Sequence, residues 1–136
     1  MTFDDYQEST MKTAVYRDTI SDLLEPIVHY MPENGREAYE ALQTVQDTLR
    51  RDYVGLGLGE AGEFQNKLKK VLRDGKGQLT DESRKKMGEE LGGLLWYVAQ
   101  CASELGLSLD AIAEENIRIL KSRKERGVLQ GSGDNR

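Results

Sequence analysis

Two glutamates three residues apart, Glu60 and Glu63, with Lys67 one further turn along, are the first residues in this sequence whose types and spacing suggest chemistry. Helix positions three and four apart share a face, so the two carboxylates project side by side and repel each other. A second acidic pair, Glu89 and Glu90, follows; on a helix Glu90 flanks an apolar stripe of Leu91, Leu95 and Val98, while Glu89 points further outward. Hard carboxylate oxygens suit magnesium or manganese rather than zinc. With His29 the single histidine, a histidine-based metal site is excluded. A Glu-x-x-Glu pair is more often just a solvated helix face. Two features oppose that reading here. Glu60 lies at the edge of an apolar stripe, and Gly55, Gly57, Gly59 and Gly62 surround it, each costing roughly 1 kcal/mol relative to alanine inside a helix. Such a cost points to close approach of a ligand, a metal or a second helix.

The elements that must position these groups are helices. Phe3, Tyr6, Thr10, Met11, Ala14 and Val15 predict a first helix over 3–16, which continues or restarts through Ile20, Leu23 and Leu24 until Pro26 disturbs it. Pro32, Glu33, Asn34 and Gly35 form a turn signal. Ala38, Leu42, Val45 and Leu49 predict a second helix ending near Arg51, and Ala61, Phe64, Leu68, Val71 and Leu72 a third within 53–73. A polar loop, Arg73 to Gly77, precedes Thr80, an N-cap backed by Asp81 and Glu82. The fourth helix carries an unbroken stripe from Met87 to Leu105, Gly106 ends it, and Ser108 caps a last helix running to about Lys124. Asn116 falls in the middle of that helix's apolar side, where an amide must find hydrogen-bond partners. The expected architecture is therefore one all-α domain over 1–126, a bundle of four to five helices, with a tail at 127–136. If the third and fourth helices pack antiparallel, Glu60, Glu63 and Glu90 converge on one cavity.

At 136 residues the chain suits a single core. Charged residues at 32% and only two prolines fit exposed amphipathic helices. A net charge of -5 argues against nonspecific binding of a nucleic-acid polymer, although metal ions allow an acidic protein to hold a polyphosphate. Cys101 is the only cysteine, so no intrachain disulfide forms, and its apolar surroundings predict a buried thiol. No stretch resembles a signal peptide or reaches the length of a membrane span, which gives the expectation of a cytoplasmic protein with no membrane partner.

The segment Leu56-Gly57-Leu58-Gly59-Glu60-Ala61-Gly62-Glu63, with Asn66-Lys67 and Lys69-Lys70, resembles the first acidic motif of MazG-like nucleoside triphosphate pyrophosphohydrolases. Glu90-Leu91-Gly92-Gly93-Leu94-Leu95-Trp96-Tyr97 is similar to the second, a Glu-x-x-Asp motif. The opening Asp5-Tyr6-Gln7 and the run from Glu104 to the terminus fit the same family, so the likeness spans residues 1–16 and 53–136; residues 17–52 resemble an insertion. The resemblance implies a helical bundle, dimeric or tetrameric, that splits a nucleoside triphosphate into monophosphate and pyrophosphate. By the same resemblance Glu60, Glu63 and Glu90 bind catalytic magnesium, Lys67, Lys70 and Arg123 contact phosphate, and Asn116 orients the substrate. Gln7, Trp96, Tyr97 and Tyr6 are candidates to meet a base, although aromatics at helical spacing are more often core. Two positions depart from the pattern: Gly93 stands where the second motif ends in aspartate, and Ile119 where a lysine is usual. Glu89, on the same face as Gly93, is the expected substitute ligand, and Arg118 or Lys121 the substitute cation. The alternative is a degenerate module that binds nucleotides without cleaving them.

Overall fold

The computed structural model describes residues 1–33 and 35–128. These residues form six α-helices and one short 3-10 turn, with no strand among them: α1 (Phe3–Met11), α2 (Tyr16–His29), α3 (Arg36–Gly57), the 3-10 turn (Leu58–Glu60), α4 (Ala61–Asp74), α5 (Asp81–Glu104) and α6 (Leu109–Glu125). The all-α expectation holds. Asn34 of the expected turn and residues 129–136 of the expected tail lie outside the described residues.

Three boundaries differ from the periodicity. The first helix breaks in two, because the Thr13 hydroxyl bonds back to the Thr10 carbonyl at 2.9 Å and the turn that follows swings Ala14 and Tyr16 into the core. Pro26 does not end α2; it removes the bond its amide would make to the Asp22 carbonyl, only one turn from the end, and the helix runs on to His29. α3 does not stop near Arg51 but reaches Gly57, anchored by Val54, one of the most buried side chains in the chain. Packing of one residue thus overrides the glycines that follow it.

α5 is the hub, packed against α1, α3, α4 and the 3-10 turn; α2 packs on α3, and α6 on α1. Its start is fixed by a capping box, with the Thr80 hydroxyl accepting from the Ser83 amide and the Ser83 hydroxyl accepting from the Thr80 amide. Its end is fixed by Gly106, whose φ of 67° lets the Leu107 amide reach the Ala102 carbonyl at 2.8 Å. The main core joins Ala14, Tyr16, Ile20, Leu24 and Val54, with Leu42, Trp96, Tyr97 and Cys101 around it. A smaller cluster of Ala99, Ala102 and Leu109 lies beside Tyr6 and Val98.

Beneath these clusters runs a polar knot. Gln100 is wholly buried and donates to the Thr10 hydroxyl at 2.6 Å. The Tyr16 hydroxyl donates to Glu104 at 2.5 Å, and Arg17 pairs with the same carboxylate at 3.1 Å. Burial, and then the Glu104 carboxylate, push the Tyr16 phenol well above its ordinary range.

Candidate functional site

The two acidic motifs sit on helices that pack against each other. Lys67 on α4 pairs with Glu90 on α5 at 2.9 Å. Further along, Tyr97 on α5 lies close enough to Glu60 for that charge to act on it; burial first, then Tyr53 and Glu60, raise the Tyr97 phenol. Stepping from Glu60, at the end of the 3-10 turn, to Lys67 on α4 therefore corresponds to stepping back from Tyr97 to Glu90 along α5, so α4 and α5 run antiparallel in one register, as the short loop between them requires. In that register Gly93 falls opposite the Glu63–Phe64 turn, midway along the seam. Nothing lies within 4 Å of a side chain's first carbon built at Gly93.

The glycines around Glu60 divide into two kinds. A first side-chain carbon at Gly57 would stand 2.0 Å from the Tyr97 ring, so Gly57 is what lets α3 approach α5. Gly55, Gly59 and Gly62 meet nothing within 4 Å, and none has a positive φ. Neither internal packing nor backbone conformation demands them.

The expected magnesium set is not assembled among the described residues. Among the described residues no group of three His, Cys, Asp or Glu side chains is placed to hold a metal ion. The carboxylates are of the right chemical type, but Glu90 is spent on Lys67, Glu63 is exposed, and the register position that would complete the set is Gly93. Glu89 is exposed, one helical turn from Lys86, on whose ammonium its charge acts.

Of the expected substrate contacts, Lys67 and Lys70 do come together, in a cleft of about 380 Å³ between the end of α4 and the start of α5. Lys86, Thr80, Ser83 and Gln78 complete its polar lining, with Asp74 at the rim and Val71 at the base. The periodicity missed Lys86 because its i, i+4 pairing with Glu82, at 2.6 Å, reads as an ordinary solvated ion pair. The other expected contacts lie elsewhere. Both ends of the Gln7 amide are committed: the nitrogen donates to Ser103 at 3.0 Å and to the Leu107 carbonyl at 2.9 Å, and the oxygen accepts from the Leu109 amide at 2.9 Å. Gln7 is thus a clamp that docks α1 on the α5–α6 corner, with both amide hydrogens and one of the two oxygen lone pairs engaged. Trp96 donates to Thr13 at 2.9 Å and packs edge-on to Tyr16 and Tyr97, which makes it core.

Asn116, Lys121 and Arg123 are carried by α6, which packs on α1 and not on α4. Asp4 explains this docking: it accepts from the Ser108 hydroxyl at 2.8 Å and from the Asp110 amide at 3.1 Å, pinning the start of α6 to α1. Asn116 is exposed, beside a shallow depression it shares with Ile112 and Ile119, so the expected buried amide is corrected. Lys121 is exposed, and Arg123 is half-buried with its Nε lacking a partner. Arg118, the other candidate cation, is paired with Glu115 at 2.6 Å.

One similar protein is the Gene 37 protein of Mycobacterium phage L5, 54% identical over 85 residues that span 62% of this chain and 75% of the phage protein. No family model matches the chain, and no solved structure matches it.

Proposed function

The chain belongs to the family of the phage L5 Gene 37 protein, and we propose that it is a nucleoside triphosphate pyrophosphohydrolase that binds polyphosphate well and cleaves it slowly. The observation that carries the reading is the Lys67–Glu90 pair, 2.9 Å apart across the α4–α5 seam. It sets the two acidic motifs face to face and leads into a cleft bordered by Lys67, Lys70 and Lys86 in an otherwise acidic protein. A half-exposed pair of this kind contributes only about 0–1 kcal/mol, so Lys67 exchanges a carboxylate for a phosphate oxygen at little cost. Thr80, at the positive end of α5, adds a hydroxyl donor to the same cleft, while the Ser83 hydroxyl is committed to the Thr80 carbonyl at 2.8 Å. Water forms the new P–O bond as the α–β anhydride breaks, giving a nucleoside monophosphate and pyrophosphate, with the water's oxygen on one product and the former bridging oxygen on the other. Magnesium enters as part of the substrate, the counter-ion of the triphosphate. The slow cleavage follows from Gly93, where the register leaves a gap in the carboxylate set.

Incubating the purified protein with each nucleoside triphosphate and magnesium or manganese tests this directly. Release of pyrophosphate, and not orthophosphate, supports the reading; Gly93→Asp then raises turnover, because the added carboxylate has open space to occupy. A second reading, a module that binds nucleotide without cleaving it, is favoured by the commitment of Glu90 to Lys67. It predicts calorimetric binding with no product. Protein that neither binds nor cleaves any triphosphate defeats both.

The partner that fits best is a second copy of the chain. The protein exposes 10323 Å², against roughly 7,000 Å² for a folded monomer of its mass. Leu91, Leu95, Ile112, Ile117 and Leu120 are among the large apolar side chains left exposed. α6 is acidic at its start, with Asp110, Glu114 and Glu115, and basic at its end, with Arg118, Lys121, Arg123 and Lys124, a pattern that complements itself across an antiparallel two-fold pairing. Light scattering of the eluting protein gives a dimer or tetramer if this holds and a 15.3 kDa monomer if it does not.

A further inference from the structure

We propose that two copies of the chain meet tip to arm: the basic end of the α4–α5 hairpin on each copy docks on the acidic α2–α3 hairpin of the other. The inference deepens the second-copy reading above and rests on it. On α2 an apolar stripe begins inside the core with Tyr16 and Ile20 and continues at helical spacing through Leu23, Ile27 and Tyr30, where it runs out onto the surface: Leu23 is 69% exposed and Tyr30 86%. α4 does the same. It packs on α5 and the 3-10 turn, yet Leu68 and Leu72, one turn apart, stay outside, Leu72 being 65% exposed, and Leu79 of the following loop is exposed too.

These two faces carry opposite charge. Residues 67–86 hold eight lysines and arginines against three carboxylates, and residues 17–52 hold eight carboxylates against four arginines, so the overall charge of -5 hides a basic end and an acidic one. Lys69, Lys70, Lys76, Arg84 and Lys85 are exposed and have no ion-pair partner among the described residues. In the acidic hairpin Asp22, Glu25, Glu37 and Asp47 are exposed and likewise unpaired, while Arg17 and Arg50 are engaged by Glu104 and Ser21. A nucleic acid suits the basic end alone; a second copy satisfies both ends at once.

The two ends are also placed for a reciprocal fit. Tyr16, at the start of α2, donates to Glu104, the last residue of α5, whereas the basic cleft is lined by Ser83 in the first turn of α5. Roughly 30 Å of helix separates Ser83 from Glu104, at about 1.5 Å per residue. A two-fold axis across the middle of α5 exchanges the ends, so antiparallel copies bring each tip to the other's arm, and the α6 pairing above asks for an antiparallel two-fold as well. Surface is not limiting: the excess over a folded monomer, roughly 3,000 Å², is several times the about 800 Å² that one partner gives to an interface of standard size.

Sedimentation equilibrium tests the proposal on wild type and two charge-reversed forms, Asp22→Lys with Glu25→Lys in the arm and Lys69→Glu with Lys76→Glu in the tip, both outside the lysine cleft, with circular dichroism to follow the fold. Each form alone dimerises about tenfold or more weakly than wild type. An equal mixture of the two regains wild-type affinity, because a reversed arm then faces a reversed tip while the other contact stays native. The proposal is overturned if either form dimerises as wild type does, or if mixing restores nothing; a dimer that survives both reversals leaves the α6 pairing standing. Wild type that stays monomeric at every concentration overturns the second-copy reading as well. A fluorescent oligonucleotide that binds wild type and is lost from the reversed tip, with self-association unchanged, gives the tip to nucleic acid instead. Should a reversed form fail to fold, Leu23→Gln and Leu72→Gln take its place, and each must weaken the dimer for the proposal to hold.

Discussion

The α1–α2–α5 knot and the α4–α5 seam are both polar, and they treat polarity in opposite ways. In the knot each group is buried and spoken for: Gln100 with Thr10, Tyr16 with Glu104, Glu104 with Arg17, Gln7 with three partners on α5 and the α5–α6 corner. In the seam Glu60 and Glu63 have no ion-pair partner among the described residues, Lys67 and Glu90 share one partly exposed pair, and a side chain's first carbon at Gly59, Gly62 or Gly93 would meet nothing within 4 Å. Satisfied burial is what a fold needs to be unique; unspent charge beside open backbone is what a ligand needs. On the function proposed above, the knot serves stability and the seam ligand binding, and the comparison can be broken at either end.

The largest effect is expected at Tyr16. Tyr16→Ala removes a buried ring and leaves Glu104 and Gln100 short of a partner, and urea denaturation should report a loss of roughly 3–5 kcal/mol. A loss below about 1 kcal/mol would mean that the knot is not what holds α2 to α5. Next come the glycines, where one substitution has opposite signs in the two settings. Gly57→Ala drives a methyl into the Tyr97 ring and should cost about 1–3 kcal/mol. Gly62→Ala, inside α4 and open, should stabilise by up to about 1 kcal/mol while impairing nucleotide binding. If both destabilise alike, the distinction between packing glycines and ligand glycines fails.

The helices, their caps and the Gly106 stop were legible in the sequence because each is a local matter of periodicity, a hydroxyl at the N-cap or a φ that only glycine accepts freely. The antiparallel meeting of the two acidic motifs was also legible, since a short loop between two amphipathic helices leaves few alternatives. What was not legible is tertiary: that Val54 would carry α3 past Arg51, that Asp4 would dock α6 on α1 and take Asn116 and Arg123 away from the seam, and that Gln7 would spend its amide inside the fold. No spacing rule distinguishes a glutamine that clamps a corner from one that reads a base.

A smaller effect sharpens the knot. Tyr16→Phe keeps the ring and removes the hydroxyl, so about 1–2 kcal/mol should be lost at neutral pH. The pH dependence carries the sign. Because the folded phenol is held protonated above its ordinary value of 10.0, its contribution is fully present below pH 10 and is lost as the pH rises toward the folded value. Wild type should therefore show an alkaline decline in melting temperature beginning near pH 10 that Tyr16→Phe lacks. A decline of the same steepness in both would remove Tyr16 from the account.

The smallest effect on stability, and the one that separates binding from cleavage, is expected at Glu90. Its pair with Lys67 is half-exposed, so Glu90→Gln should change stability by less than about 1 kcal/mol. For tripolyphosphate the carboxylate is a competitor for the lysine, and removing its charge should tighten binding, by up to about fivefold if the whole of that pair energy is released. For turnover it belongs to an already incomplete carboxylate set, and removing it should abolish what pyrophosphate release there is. Affinity and rate thus move in opposite directions at one residue. Binding that weakens with the rate would show that Glu90 reaches the phosphates through a shared cation, and Lys67 would then be a partner in the site and not the occupant that a phosphate displaces.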